Sequence, residues 1–152
     1  MAAFRIFIAD DHEVVRKGLC ALLQAEPGWE ICGEAGNGRE AAAKVRELKP
    51  DAIILDIGMP GLNGLEATRQ IIKDDPRARV LILTFHDSDQ VVRDVLNAGA
   101  RGFLLKSDAA RDLVAAAEAL TRDKTYFTSQ CATRVLAGYL DGGHRAAPPA
   151  GG

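Results

Sequence analysis

No apolar run in the 152 residues approaches the roughly 20 that a membrane-spanning helix needs. The start, MAAFRIFIADD, has too short an apolar stretch for a signal peptide and runs straight into two aspartates, so it reads as a buried first strand. Charge of one sign is also lacking. The formal charge is −2 and the pI about 5.9, which supplies neither a basic footprint for nucleic acid nor a polybasic membrane signal. Cysteine is scarce: Cys20, Cys32 and Cys131 are odd in number and widely spaced. They fit free thiols in a reducing compartment and exclude a disulfide framework or a zinc site.

What is present is alternation. Apolar runs at Phe4 to Ala9, Glu30 to Ala35, Ala52 to Leu55, Val80 to Thr84 and Gly102 to Leu105 have the aliphatic character of strands covered on both faces. Between and after them the apolar spacing is helical. Val14, Val15, Leu19, Leu22 and Leu23 form one stripe. Leu65, Thr68, Ile71 and Ile72 form another, as do Val91, Val92, Val95 and Leu96, and then Leu113, Ala116, Ala117 and Leu120. A weaker, Ala-rich helix follows Asn37-Gly38. Five βα units imply a parallel sheet with helices on both faces, and ligands in such sheets sit beyond the carboxyl ends of the strands.

Those ends carry the chemistry. Strand one runs into Asp10-Asp11, strand three into Asp56, strand four into Thr84 and strand five into Lys106. Three carboxylates brought to one edge repel one another unless a cation neutralises them. Mg²⁺ suits such an oxygen-rich set, taking one or two carboxylates plus phosphate oxygens and water. An ammonium and a hydroxyl beside it suit a developing phosphoryl charge. An aspartate nucleophile needs no general base, since it is ionised at neutral pH.

These motifs resemble the receiver domain of two-component response regulators over about residues 4–121. IADDH resembles the acidic-pair motif, LDIGMPGLNGLEA the phosphoacceptor strand and loop, LTFHD the switch strand and AGARGFLLKS the aromatic–lysine motif. The wording is similar to that of the NarL/FixJ class, whose members usually carry a C-terminal LuxR-type helix-turn-helix. The resemblance implies a flavodoxin-like, doubly wound α/β fold with five parallel strands in the order 2-1-3-4-5, followed by an extra C-terminal helix. It implies that Asp56 is the phosphoacceptor, that Asp10, Asp11, Asp56 and the Gly58 carbonyl hold Mg²⁺, and that Lys106 contacts the phosphoryl group. Thr84 is then the switch hydroxyl and Phe103 the aromatic that rotates. Gly58 and His86 are positions that tune dephosphorylation, and His12 is read as an exposed helix-start residue. Phe85 is bulky where the family is often small and is expected to crowd the path of Phe103. Ser107 stands where many receivers have proline.

The expected partners are a sensor histidine kinase, a second copy on phosphorylation, and DNA only through an output domain beyond this chain; the expected location is the cytoplasm. Residues 1–122 are expected to form the receiver and 123–152 a linker. A short helix is expected at about 129–140, capped by Ser129 and carrying apolar Val135, Leu136, Tyr139 and Leu140, followed by a flexible Gly/Pro/Ala tail. Three other functions fit less well. A haloacid-dehalogenase-type phosphatase places Asp-x-Asp on its first strand, where this chain has Asp10-Asp11. A flavodoxin-like cofactor binder needs a neutral phosphate loop there, and DDHEVV is anionic. A pseudo-receiver would have lost an acidic residue or the lysine.

Overall fold

The computed structural model describes residues 3–127 and 130–138. Strands and helices alternate: β1 (Phe4–Ala9), α1 (Glu13–Gln24), β2 (Trp29–Ala35), α2 (Gly38–Leu48), β3 (Ala52–Asp56), α3 (Gly64–Asp74), β4 (Val80–Thr84), α4 (Asp89–Asn97), β5 (Gly102–Leu105) and α5 (Ala109–Thr121). A two-residue β6 (Tyr126–Phe127) and α6 (Gln130–Gly138) complete the described chain. The sheet is parallel, in the order β2-β1-β3-β4-β5-β6. The order 2-1-3-4-5 is as expected, and the sheet gains a sixth strand. Tyr126 and Phe127 have no period of their own. Pairing with Gly102 and Phe103 makes them a strand, helped by the Tyr126 N–H donating to the Arg101 carbonyl at 3.0 Å.

The helices start where local chemistry dictates. The side chains of Asn37, Asn63 and Ser88 cap α2, α3 and α4 by accepting the N–H of Glu40, Glu66 and Val91. Every residue of β3 and β4 is buried, so both sheet faces are covered. On one face, Phe7, Ile53, Leu55, Ile82 and Phe103 join Val45 of α2, Ile71 of α3 and Val92 and Val95 of α4 in one core. Ala132 and Val135 of α6 belong to the same core. On the other, Ile6, Ile8, Ile54, Leu81, Leu83 and Leu104 join Leu19 and Leu23 of α1 and Leu113, Ala117 and Leu120 of α5.

Val14 departs from its expected stripe and is 87% exposed. Positions 15, 19, 22 and 23 form a stripe at spacings of four, seven and eight, and residue 14 lies about 100° around the helix from residue 15. Cys20 is buried, and burial pushes its thiol up to about 11. Cys32 is partly buried against the core, and the Cys131 side chain lies outside the described residues. Trp29 packs on Phe4 with ring centroids 5.6 Å apart. The Ser129 cap, Tyr139, Leu140 and the tail also lie outside the described residues, as does the Leu136 side chain.

Candidate phosphoryl-transfer site

The carboxyl ends of β1, β3, β4 and β5 share one edge of the sheet. Asp10, just past β1, is held there by its N–H donating to the Ala35 carbonyl at 3.0 Å, and it is fully buried. Asp56, the last residue of β3, is 4% exposed. Its Oδ1 accepts the Gly58 N–H at 3.2 Å. Lys106 reaches between them from the end of β5: its Nζ lies 2.7 Å from Asp10 Oδ2 and 3.1 Å from Asp56 Oδ2, with the side chain 3% exposed. Thr84 ends β4, is buried, and its Oγ1 accepts the His86 N–H at 3.1 Å. Asp10, Asp56 and Lys106 thus meet at one edge of the sheet, and Thr84 ends the neighbouring strand β4.

The acidic pair is not symmetrical. Asp11 is exposed, its side chain at 30%, while Asp10 is sealed in. Burial raises the Asp56 carboxyl above its ordinary value and the Asp10 charge pushes the same way; the Gly58 N–H and Lys106 only partly offset this. Although Asp10 Oδ2 and Lys106 Nζ are 2.7 Å apart, neither atom makes a hydrogen bond of proper angle with any described group. Buried polar atoms left this way call for a partner or a chemical role, such as catalysis or a bound water or ion.

The donor set fits a hard divalent cation. Asp10, Asp11, His12 and Asp56 each offer an atom within 4.8 Å of the others. Gly58 is exposed beside Asp56, where its N–H donates to Asp56 Oδ1. Gly64 explains why Asp56 sits so close to the start of α3. A Cβ there would fall 2.3 Å from the Asp56 carbonyl oxygen, so only glycine admits the approach.

Phe85 does not crowd Phe103. It lies outward, 63% exposed, with Lys106 Nζ 4.9 Å from its ring centroid and the His12 ring edge-on at 6.5 Å. Position 85 follows the end of β4, beyond the alternation that would have turned it toward the core. Phe103 is fully buried in the core that holds Val92, Val95 and Phe127. The Lys106–Ser107 peptide bond is trans, and the chain enters α5 through a 3₁₀ turn over Lys106–Asp108.

Two positioning residues, Arg16 and Glu34, were missed from the sequence. Arg16 Nη1 donates to the Asp10 carbonyl at 2.6 Å, and its Nε donates to Glu34 at 2.9 Å. Burial alone would raise the Glu34 carboxyl, but hydrogen bonds from Arg16 and Lys17 outweigh it and hold the group below its usual range. Arg16 lies one helical turn after His12, the signal that could have revealed it. His86 is exposed, and its backbone N–H is what engages Thr84.

Residues 6–118 match the response regulator receiver domain family. The transcriptional regulatory protein LiaR of Bacillus subtilis (strain 168) is 38% identical over 144 residues, covering 95% of this chain and 68% of that protein. The response regulator protein VraR of Staphylococcus aureus (strain Mu3 / ATCC 700698) is 40% identical over 123 residues, covering 81% of this chain. The chain spans 59% of VraR's length. Among solved structures, a LuxR-family two-component response regulator from Aurantimonas sp. SI85-9A1 superposes with a TM-score of 0.84. It is 34% identical, with 91% of this chain and 99% of that one covered.

Proposed function

The chain belongs to the response regulator receiver domain family, in its NarL/FixJ class, and we propose that Asp56 accepts a phosphoryl group from a sensor histidine kinase. The observation that supports this reading is the buried trio in which Lys106 bridges Asp10 and Asp56. Asp56 Oδ bonds to phosphorus as the donor's P–N bond breaks, and no proton need be removed from the nucleophile. Lys106 Nζ moves from pairing with carboxylates to pairing with the transferred oxygens. When bound, Mg²⁺ would be held by Asp10, Asp11, Asp56 and the Gly58 carbonyl and would supply positive charge against the phosphoryl group. On this reading the domain catalyses only its own phosphorylation and dephosphorylation, with Gly58 and His86 as the positions that would tune the latter.

The added group carries about −1.5 to −2 charges. Thr84 Oγ1, already at the edge of the site, donates to it and draws the segment 84–88 with it. Ser88 caps α4 at the end of that segment, so the start of α4 follows. Phe103 underlies α4 and transmits the shift through packing. The face formed by α4, β5 and α5 is what partners, including a second copy, then read. The expected boundary at residue 122 falls inside the folded unit, because β6 pairs with β5 and Ala132 and Val135 of α6 are buried in its core; the receiver therefore takes in residues up to at least 138, and an output domain of the longer protein would bind DNA. That protein works in the cytoplasm; no helix among the described residues is long and apolar enough to cross a membrane.

A small phosphodonor with Mg²⁺ should add one acid-labile phosphoryl group by intact mass, and Asp56→Asn should abolish it. Stable phosphorylation of the Asp56→Asn variant at another residue would refute the assignment.

A further inference from the structure

The phosphoryl-transfer reading gives α6 no role, yet α6 packs mainly on α4, the helix that responds in that reading. Ala132 and Val135, three residues apart and so on one face of α6, are buried in the core that holds Val92, Val95, Phe103 and Phe127. Thr133, Arg134, Ala137 and Gly138 are exposed. At the rim of the contact Arg134 Nη2 donates to Asp89 Oδ1 at 2.7 Å, with both side chains open to water.

This hold is of a kind that a small shift undoes. A helix of nine residues is not stable alone in water, so α6 keeps its shape while it is docked. An ion pair open to water contributes little and depends on its two partners staying in register. Those partners stand on different parts of the molecule. α6 follows β6, which is paired into the sheet with β5, so its start is tied to the sheet. Asp89 instead follows Ser88, which caps α4 at the end of the segment 84–88. A pull on that segment toward Asp56 moves Asp89 away from its register with Arg134, and moves α4 under Ala132 and Val135.

We propose that α6 is a latch on α4, docked while Asp56 is unphosphorylated and released when the phosphoryl group draws the start of α4 toward the site. The inference rests on the reading of Asp56 as phosphoacceptor. Coupling of this kind is reciprocal, so weakening the latch favours the phosphorylated conformation.

Hydrogen exchange of the full chain, followed by mass spectrometry with and without a small phosphodonor and Mg²⁺, tests the latch. Phosphorylation should speed exchange of the amides in 130–138 about tenfold and leave those of β3 unchanged. Arg134→Ala should speed exchange in 130–138 without phosphodonor, and Arg134→Lys should keep the wild-type rate. Beryllofluoride, a reversible mimic of the phosphoryl group, should bind Arg134→Ala about threefold more tightly than the wild type in the presence of Mg²⁺. Unchanged exchange in 130–138 on a chain whose mass shows one added phosphoryl group overturns the latch and leaves the phosphoacceptor reading standing. So does equal or weaker beryllofluoride binding by Arg134→Ala. A wild type that neither gains the phosphoryl mass nor binds beryllofluoride overturns both.

Discussion

As the proposed phosphoacceptor, Asp56 carries two opposed demands. It must be sealed from water to react in a defined geometry, and it must be ionised to react at all. Burial and the neighbouring Asp10 hold its carboxyl above the ordinary value despite Lys106. The sign of the stability effect follows. Between the unfolded and the raised folded pKa the native state binds more protons, so stability falls as pH rises through that window and the loss is complete above it. With chelator present, Asp56→Asn should therefore stabilise the protein at neutral pH by about 1 kcal/mol. Urea unfolding should show the difference shrinking in acid, below both pKa values. A destabilised Asp56→Asn variant at neutral pH would contradict this. Asp11 differs, because its carboxylate keeps contact with water and its value lies in what it binds. Asp11→Ala should weaken Mg²⁺ binding at least tenfold, about 1.4 kcal/mol. Calorimetric titration giving unchanged affinity would remove Asp11 from the ligand set.

At the scale of elements, the site is accurate because stiff pieces end at it. β3 is buried along its whole length, and α3 begins against its last residue. That junction tolerates no side chain: a methyl at position 64 would meet the Asp56 carbonyl oxygen at 2.3 Å and the Ile57 Cα at 2.8 Å. Gly64→Ala should cost about 2 kcal/mol through displacement of α3, read as a lower melting temperature. It should also slow phosphorylation, because the displaced backbone is that of Asp56. Unchanged stability would mean that the β3–α3 junction is looser than its geometry indicates. At the other end of the chain, α6 docks on the α4 side of the sheet. Ala132 and Val135 are buried in that core, and Arg134 pairs with Asp89 of α4 at 2.7 Å. The helix whose start hangs on the Thr84 segment is thus also the one that holds α6.

For the whole molecule, the proposed phosphoacceptor edge and the face that would respond are joined, on this reading, through Thr84. Thr84→Ala should leave the phosphoryl group able to bind Asp56, since the nucleophile and Lys106 are untouched. It should uncouple that event from α4. Phosphorylation-dependent shifts of the Val92 and Val95 methyl signals, present in the wild type, should be lost in the variant. Shifts that survive would move the coupling elsewhere.

The βα alternation, the parallel sheet and the meeting of Asp10, Asp56 and Lys106 were all legible in the sequence. Each depends on a local pattern: an apolar run of strand length, a polar residue at its end, and a helical stripe after it. Tertiary structure alone decided the rest. Asp10 and Asp11 are chemically identical neighbours, yet β2 and α1 seal one and leave the other open. Tyr126 and Phe127 became a strand only because β5 offered an edge to pair with. Phe85 turned outward over Lys106, and His12 came to lie against two carboxylates with that ring beside it. Periodicity determines which face a residue belongs to within its own element. What the side chain meets there is set by chain segments tens of residues away, whose position is fixed only when the sheet closes around them.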